Sequence, residues 1–250
     1  PFINITRLYG PSVPHRGPLP PNSWYLRTIC KAFVQIARIR GASFVMVVDN
    51  LKDRTEMALS LGADAVGVIF YSDSPRSVTV EQAQAIRGAV SGLGMVVGLF
   101  VDPSVEEVEA VLEAVPLNML QFHGKESPVF CGQFGRPYLK AIPMSADVNL
   151  AREADRFQAA SALLLDSSHE GQFGGTGSRF DWDWVDRALA DRVVLAGGLH
   201  PDNVAAAVRR VKPAAVDVSS GVERAKGIKD PARMRAFIEA AKLAASGLQR

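Results

Sequence analysis

The sequence predicts an α/β protein, a single parallel (β/α)8 TIM barrel, and three observations carry that expectation. From residue 43 onward, short runs rich in Val, Ile, Leu and Phe alternate eight times with longer amphipathic, charged runs. The apolar runs are nearly continuous, as expected of strands covered on both faces, and such strands form parallel sheets joined by helical crossovers. Polar or glycine-containing residues gather at the C-terminal ends of these runs, where barrels build their sites. A doubly wound open sheet is the alternative. It calls for a glycine-rich dinucleotide turn after the first strand, and Asp49-Asn50-Leu51-Lys52 is not one.

Bulk composition narrows the function classes. At 250 residues, 48% apolar and 22% charged, the chain can bury one large core and is not disordered as a whole. A net charge of +2 gives no basic field for nucleic acid. No run of 18 uncharged apolar residues offers a membrane span. Two cysteines, Cys30 and Cys131, exclude a disulfide framework and a Cys-rich zinc site and suit a reducing, cytoplasmic compartment. No His, Cys and acidic set has metal spacing, so chemistry without metal or cofactor is expected. Monomer and homodimer stand equally open.

The elements follow in order. Residues 1–42 read as an N-terminal extension, with prolines at 1, 11, 14, 18, 20 and 21 and a basic amphipathic helix over 24–40. The first 48 residues carry Arg and Lys but no Asp or Glu, the composition of an organellar transit peptide or of an unrelated extension. The barrel, 43–250, has expected strands at 43–49, 63–70, 94–101, 117–123, 138–142, 160–166, 192–198 and 214–220. Its expected helices lie at 53–61, 79–90, 104–115, 126–134, 148–158, 181–190, 201–211 and 230–246.

The strand ends supply the chemistry. Gly197-Gly198 ends strand seven and Ser219-Ser220-Gly221 ends strand eight; glycine lets backbone N–H groups approach an anion, and serine adds hydroxyl donors. Barrels often bind phosphate there, which points to a phosphorylated sugar; two ordinary tight turns are the alternative. Asp166 ends an apolar run, where a carboxylate is costly unless exposed or paired. At a barrel mouth it can act as general acid or base, or it can cap a loop. Gly171–Gly177 suits a mobile cover. Arg76 suits a substrate carboxylate through a bidentate contact, or lies solvated on the surface. His123 can stack or donate at the mouth, or be structural.

These residues, in this order, resemble the phosphoribosylanthranilate isomerase family. The resemblance rests on Leu61–Gly67, Ser74-Pro75-Arg76, Gln121–Gly124, Leu164–Ser167, Gly174–Gly177, Phe180-Asp181-Trp182, Ala196–Leu199 and Val218–Glu223, and covers about four-fifths of the chain. It implies a cofactor-free Amadori rearrangement of N-(5-phosphoribosyl)anthranilate in tryptophan biosynthesis. Asp166 would be the general acid that protonates the ring oxygen, with the substrate carboxylate on Arg76 and phosphate at the loops after strands seven and eight. The family's first-strand cysteine, its general base, falls by spacing on Val47. Val45, Val47 and Asp49 share one strand face, so a barrel-facing Val47 makes Asp49 a substitute base opposite Asp166. Cys30 is a second candidate. A phosphosugar-binding barrel that has lost the base, or a non-enzymatic scaffold, are the rival readings.

Overall fold

Eight parallel strands close on themselves in simple sequence order, each hydrogen-bonded to the next and the eighth to the first. They are β1 (Phe44–Val48), β2 (Ala65–Ile69), β3 (Met95–Phe100), β4 (Met119–Phe122), β5 (Tyr138–Met144), β6 (Ala162–Ser167), β7 (Val193–Leu195) and β8 (Ala215–Val218). The structure, a computed structural model, describes residues 44–48, 52–90, 94–167 and 179–249. The N-terminal extension, Cys30, Asp49 and the glycine-rich 171–177 segment lie outside the described residues.

The crossovers are α1 (Lys52–Ser60), α2 (Val80–Ala89), α3 (Val105–Ala114), α4 (Pro128–Gly132), α5 (Leu150–Arg156), α6 (Pro201–Val211) and α7 (Pro231–Ser246). Their starts are written locally. Thr79 and Ser104 form capping boxes with Gln82 and Glu107, each pair satisfying two backbone donors that the helix leaves unpaired. Asp230 accepts from the N–H groups of Ala232 and Arg233 to begin α7, with Pro231 in the first helical turn. One expected helix is absent. Residues 181–190 form two separate 3-10 turns, Trp182–Trp184 and Arg187–Arg192, because Asp181 and Asp186 each cap a turn of their own. An unexpected antiparallel hairpin, β9 (Glu223–Ala225) and β10 (Ile228–Lys229), follows β8.

Strand alternation sorts the core into two layers. Met46, Ala65, Val97, Met119, Leu139, Ala162, Leu164, Val194 and Ala215 form one cluster drawn from all eight barrel strands and from no helix, so it is the barrel interior. Their neighbours Val66, Val96, Leu120, Leu163, Leu165 and Val216 join helix residues such as Ala58, Ile86, Val108, Val208 and Phe237 in the outer layer. Val47 belongs to that outer layer and is fully buried there, in register with Val66 and Val218. The condition on which Asp49 became a mouth-facing base, a barrel-facing Val47, is not met: Met46 is the inward residue, so alternation from Val47 gives that role no support.

Candidate functional site

At the C-terminal ends of the strands a cleft opens. Arg76, His123, Asp166, Gly197, Gly198, Ser219, Ser220 and Gly221 all line it, so eight residues chosen from distant parts of the sequence meet in one place. Among the described residues, no group of His, Cys, Asp and Glu is arranged to hold a metal ion. Also among them, no helix is long and apolar enough to cross a membrane.

The two glycine-rich strand ends touch. Gly197 and Gly198 both have left-handed backbones, with φ of 73° and 62°. A Cβ on Gly197 would lie 2.3 Å from the Ser167 nitrogen and 2.8 Å from Asp166 Oδ1. A Cβ on Gly221 would lie 1.8 Å from the Leu199 carbonyl oxygen, so the loops after β7 and β8 pack backbone against backbone. Asn203 locks the first of them, donating to the Gly198 carbonyl at 2.9 Å while its own oxygen accepts from the His200 N–H at 2.9 Å. Bare backbone of this kind, beside Ser219 and Ser220, is suited to an anion.

Asp166 ends β6 and His123 follows β4; His123 Nε2 lies 3.2 Å from Asp166 Oδ2. The buried Gln121 amide contacts His123 Nδ1 at 3.1 Å. With that amide donating, Nδ1 is the acceptor and Nε2 is left to donate a hydrogen bond to Asp166. Gln121 thereby orients the histidine and the histidine orients the carboxylate.

Asp217 is a site residue that the sequence reading passed over. It points into the cleft from β8, level with the inward Met46 of β1, and its Oδ1 has no hydrogen-bond partner among the described residues. Burial, and after it the neighbouring Asp166 charge, push its carboxyl up to about 7 against the opposing pull of His123 and Lys229. The signal that singled out Asp166, a carboxylate interrupting an apolar run, was equally present in Ala215-Val216-Asp217-Val218.

Arg76 reaches the cleft from the loop after β2, but not as an isolated cation. Its Nε and Nη2 donate to Glu223 Oε1 and Oε2 at 2.7 and 2.8 Å, a bidentate pair. Lys229 Nζ donates to the same Oε1 at 2.7 Å and to the Ser219 carbonyl at 2.8 Å. Burial alone would raise the Glu223 carboxyl, yet the bonds from Arg76 and Lys229 outweigh it and hold the group at about 2. Glu223 was legible as part of a motif; its partners, 147 and 6 residues away, were not.

This geometry has counterparts. The sequence model described as N-(5'phosphoribosyl)anthranilate (PRA) isomerase matches residues 45–240. An N-(5'-phosphoribosyl)anthranilate isomerase of Thiobacillus denitrificans is 53% identical over 190 residues, covering 76% of this chain and 93% of that protein. One from Pseudomonas aeruginosa is 49% identical over 203 residues, covering 81% and 94%. Among solved structures, phosphoribosyl anthranilate isomerase from Thermotoga maritima is 33% identical with a TM-score of 0.73, covering 80% of this chain and 98% of that one. A phosphoribosyl anthranilate isomerase in complex with reduced 1-(o-carboxyphenylamino)-1-deoxyribulose 5-phosphate is 32% identical, with a TM-score of 0.71 and coverage of 80% and 98%. A closed barrel with its polar groups at one mouth, matched over nearly the whole length of these relatives, places the chain in the N-(5'-phosphoribosyl)anthranilate isomerase family.

Proposed function

We propose that the cleft isomerises N-(5'-phosphoribosyl)anthranilate in tryptophan biosynthesis by an Amadori rearrangement. The observation that carries this reading is the meeting of Arg76, Asp166 and the two glycine-serine loops in one cleft. The substrate has a carboxylate at one end and a phosphate at the other. Arg76 takes the carboxylate through charge-assisted hydrogen bonds, and Gly197, Gly198, Ser219, Ser220 and Gly221 take the phosphate.

Asp166 delivers a proton to the ribose ring oxygen as the C1–O bond breaks, and the anthranilate nitrogen lone pair forms the C1=N bond. A base then removes the C2 proton, its electrons form C1=C2, and the iminium is neutralised. Proton transfer from the resulting enol to C1 gives the aminoketose. Gly197 leaves Asp166 Oδ1 uncovered, while His123 engages Oδ2 and fixes the carboxylate's orientation. The base assigned here is Asp217, which lines the cleft from β8 and whose buried Oδ1 has no hydrogen-bond partner among the described residues. Asp49 lies outside the described residues, and Asp49→Asn tests its candidacy in the same assay.

Loss of the substrate's fluorescence under the purified chain measures turnover. A chain that binds inorganic phosphate but gives no turnover would replace this reading with the phosphosugar-binding barrel. If Asp49→Asn abolishes turnover while Asp217→Asn retains it, the base belongs at the end of the first strand. The assembly is read as a monomer or homodimer, which light scattering resolves. The compartment is read as the reducing cytoplasm, in keeping with the free, buried Cys131.

A further inference from the structure

We propose that Glu223 and Lys229 are a buried positioning pair that aims Arg76 at the substrate carboxylate and ties that grip to the phosphate loop. The inference rests on the reading of Arg76 as the carboxylate contact. Glu223 is saturated: Oε1 accepts from Arg76 and Lys229, and Oε2 accepts from Arg76 and from the Gly227 N–H at 3.1 Å. Its side chain is 5% exposed and that of Lys229 is 1% exposed, so neither is placed to meet substrate directly. Whatever Glu223 does for a ligand, it does through Arg76.

A guanidinium has five N–H donors, and Glu223 uses one on Nε and one on Nη2. The end-on edge, formed by Nη1 and the second Nη2 hydrogen, is left for another carboxylate in a second bidentate contact.

Lys229 extends the network. Its ammonium bonds the Ser219 carbonyl, the first residue of the phosphate loop, as well as Glu223. The hairpin that carries the pair is pinned from outside, because Arg233 Nη1 donates to the Glu223 carbonyl at 2.6 Å and Arg54 Nη1 to the Gly227 carbonyl at 3.2 Å. A hairpin so anchored is a rigid base on which to hold a guanidinium. It also gives the carboxylate and phosphate ends of the site one shared ammonium.

The test is calorimetric binding of three probes to the intact chain, which needs no turnover. The probes are reduced 1-(o-carboxyphenylamino)-1-deoxyribulose 5-phosphate, the same compound without its aryl carboxyl group, and inorganic phosphate. Glu223→Gln should weaken the carboxylated probe about tenfold or more, the size of a lost charge-assisted contact. It should leave the other two probes within about twofold of the parent chain. Lys229→Met should weaken all three, because it also frees the Ser219 carbonyl. In an Arg76→Ala background, Glu223→Gln should add no further loss for the carboxylated probe. Equal loss of both sugar probes in Glu223→Gln, or no loss in either, overturns the inference and leaves the pair a hairpin anchor. If Arg76→Ala itself fails to discriminate between the two sugar probes, the carboxylate reading of Arg76 is what falls. Glu223→Asp, which keeps the charge but withdraws it by one methylene, must give the same selective loss and serves if the glutamine variant does not fold.

Discussion

Asp217 carries a titration that reports on both its environment and its role. Its carboxyl stands at about 7 in the folded chain against an ordinary 3.8, so between those values the folded state holds a proton that the unfolded state has released. Stability therefore falls as pH rises from about 4 to about 7 and levels off above that. Asp217→Asn should remove this slope and raise stability near pH 8, as read by urea unfolding across the pH series, while turnover falls about 100- to 10,000-fold. In the parent chain, kcat/KM should rise with pH through about 7 as the base ionises. A flat profile from pH 5.5 to 8 would remove Asp217 from the chemistry. Arg76 makes a separate residue-scale prediction: Arg76→Ala should weaken substrate binding by about 1.5–3 kcal/mol, seen as a raised KM. Unchanged kinetics would return it to a purely structural partner of Glu223.

At the scale of elements, the proposed phosphate site depends on how closely two loops approach. The loop after β7 turns through two left-handed glycines, and the turn after β8 sets Gly221 against the Leu199 carbonyl, where a Cβ would stand at 1.8 Å. That obstacle is backbone, so no rotamer change relieves it. Gly221→Ala should force the loops apart, weaken inorganic phosphate binding in titration and lower the unfolding free energy by about 1–3 kcal/mol, as overpacking does. Phosphate affinity equal to that of the parent chain would mean that the anion sits elsewhere. The 3-10 turns over 182–192 illustrate the same local control, since Asp181 and Asp186 end up capping short turns where amphipathic spacing alone suggested one helix.

The whole molecule is closed twice on its C-terminal side: β8 pairs with β1, and the hairpin after β8 pairs its charges with the loop after β2. The second closure is acid-sensitive. Glu223 is held at about 2 against an ordinary 4.5, so its contribution to stability is complete above about 4.5 and is lost as pH falls toward 2. Glu223→Gln should lose this component at neutral pH and show a shallower fall in unfolding free energy between pH 4.5 and 2. A parallel pair of curves would mean that the bonds contribute nothing net. Cys131 gives a simpler global probe. Burial pushes its thiol up to about 12, so a thiol reagent should modify it only on unfolding, and its rate should follow denaturant.

The eightfold alternation of apolar and amphipathic runs determined the barrel by itself, because continuous apolar strands joined by helices have few ways to close. The mouth was legible for the same reason: once the strands are known to be parallel, their C-terminal ends share one face, and Arg76, His123, Asp166 and both glycine-serine loops line one cleft there. Other features depended on tertiary structure. Which way Val47 points turns on the register of β1 against β2 and β8, and a shift of one residue exchanges the inner and outer faces. The weakened acidity of Asp217 comes from its burial and from Asp166, 51 residues earlier. Glu223 meets Arg76 across 147 residues only because the chain closes into a ring. Local sequence carries periodicity and caps, whereas these pairings are set by closure, which brings the last strand beside the first.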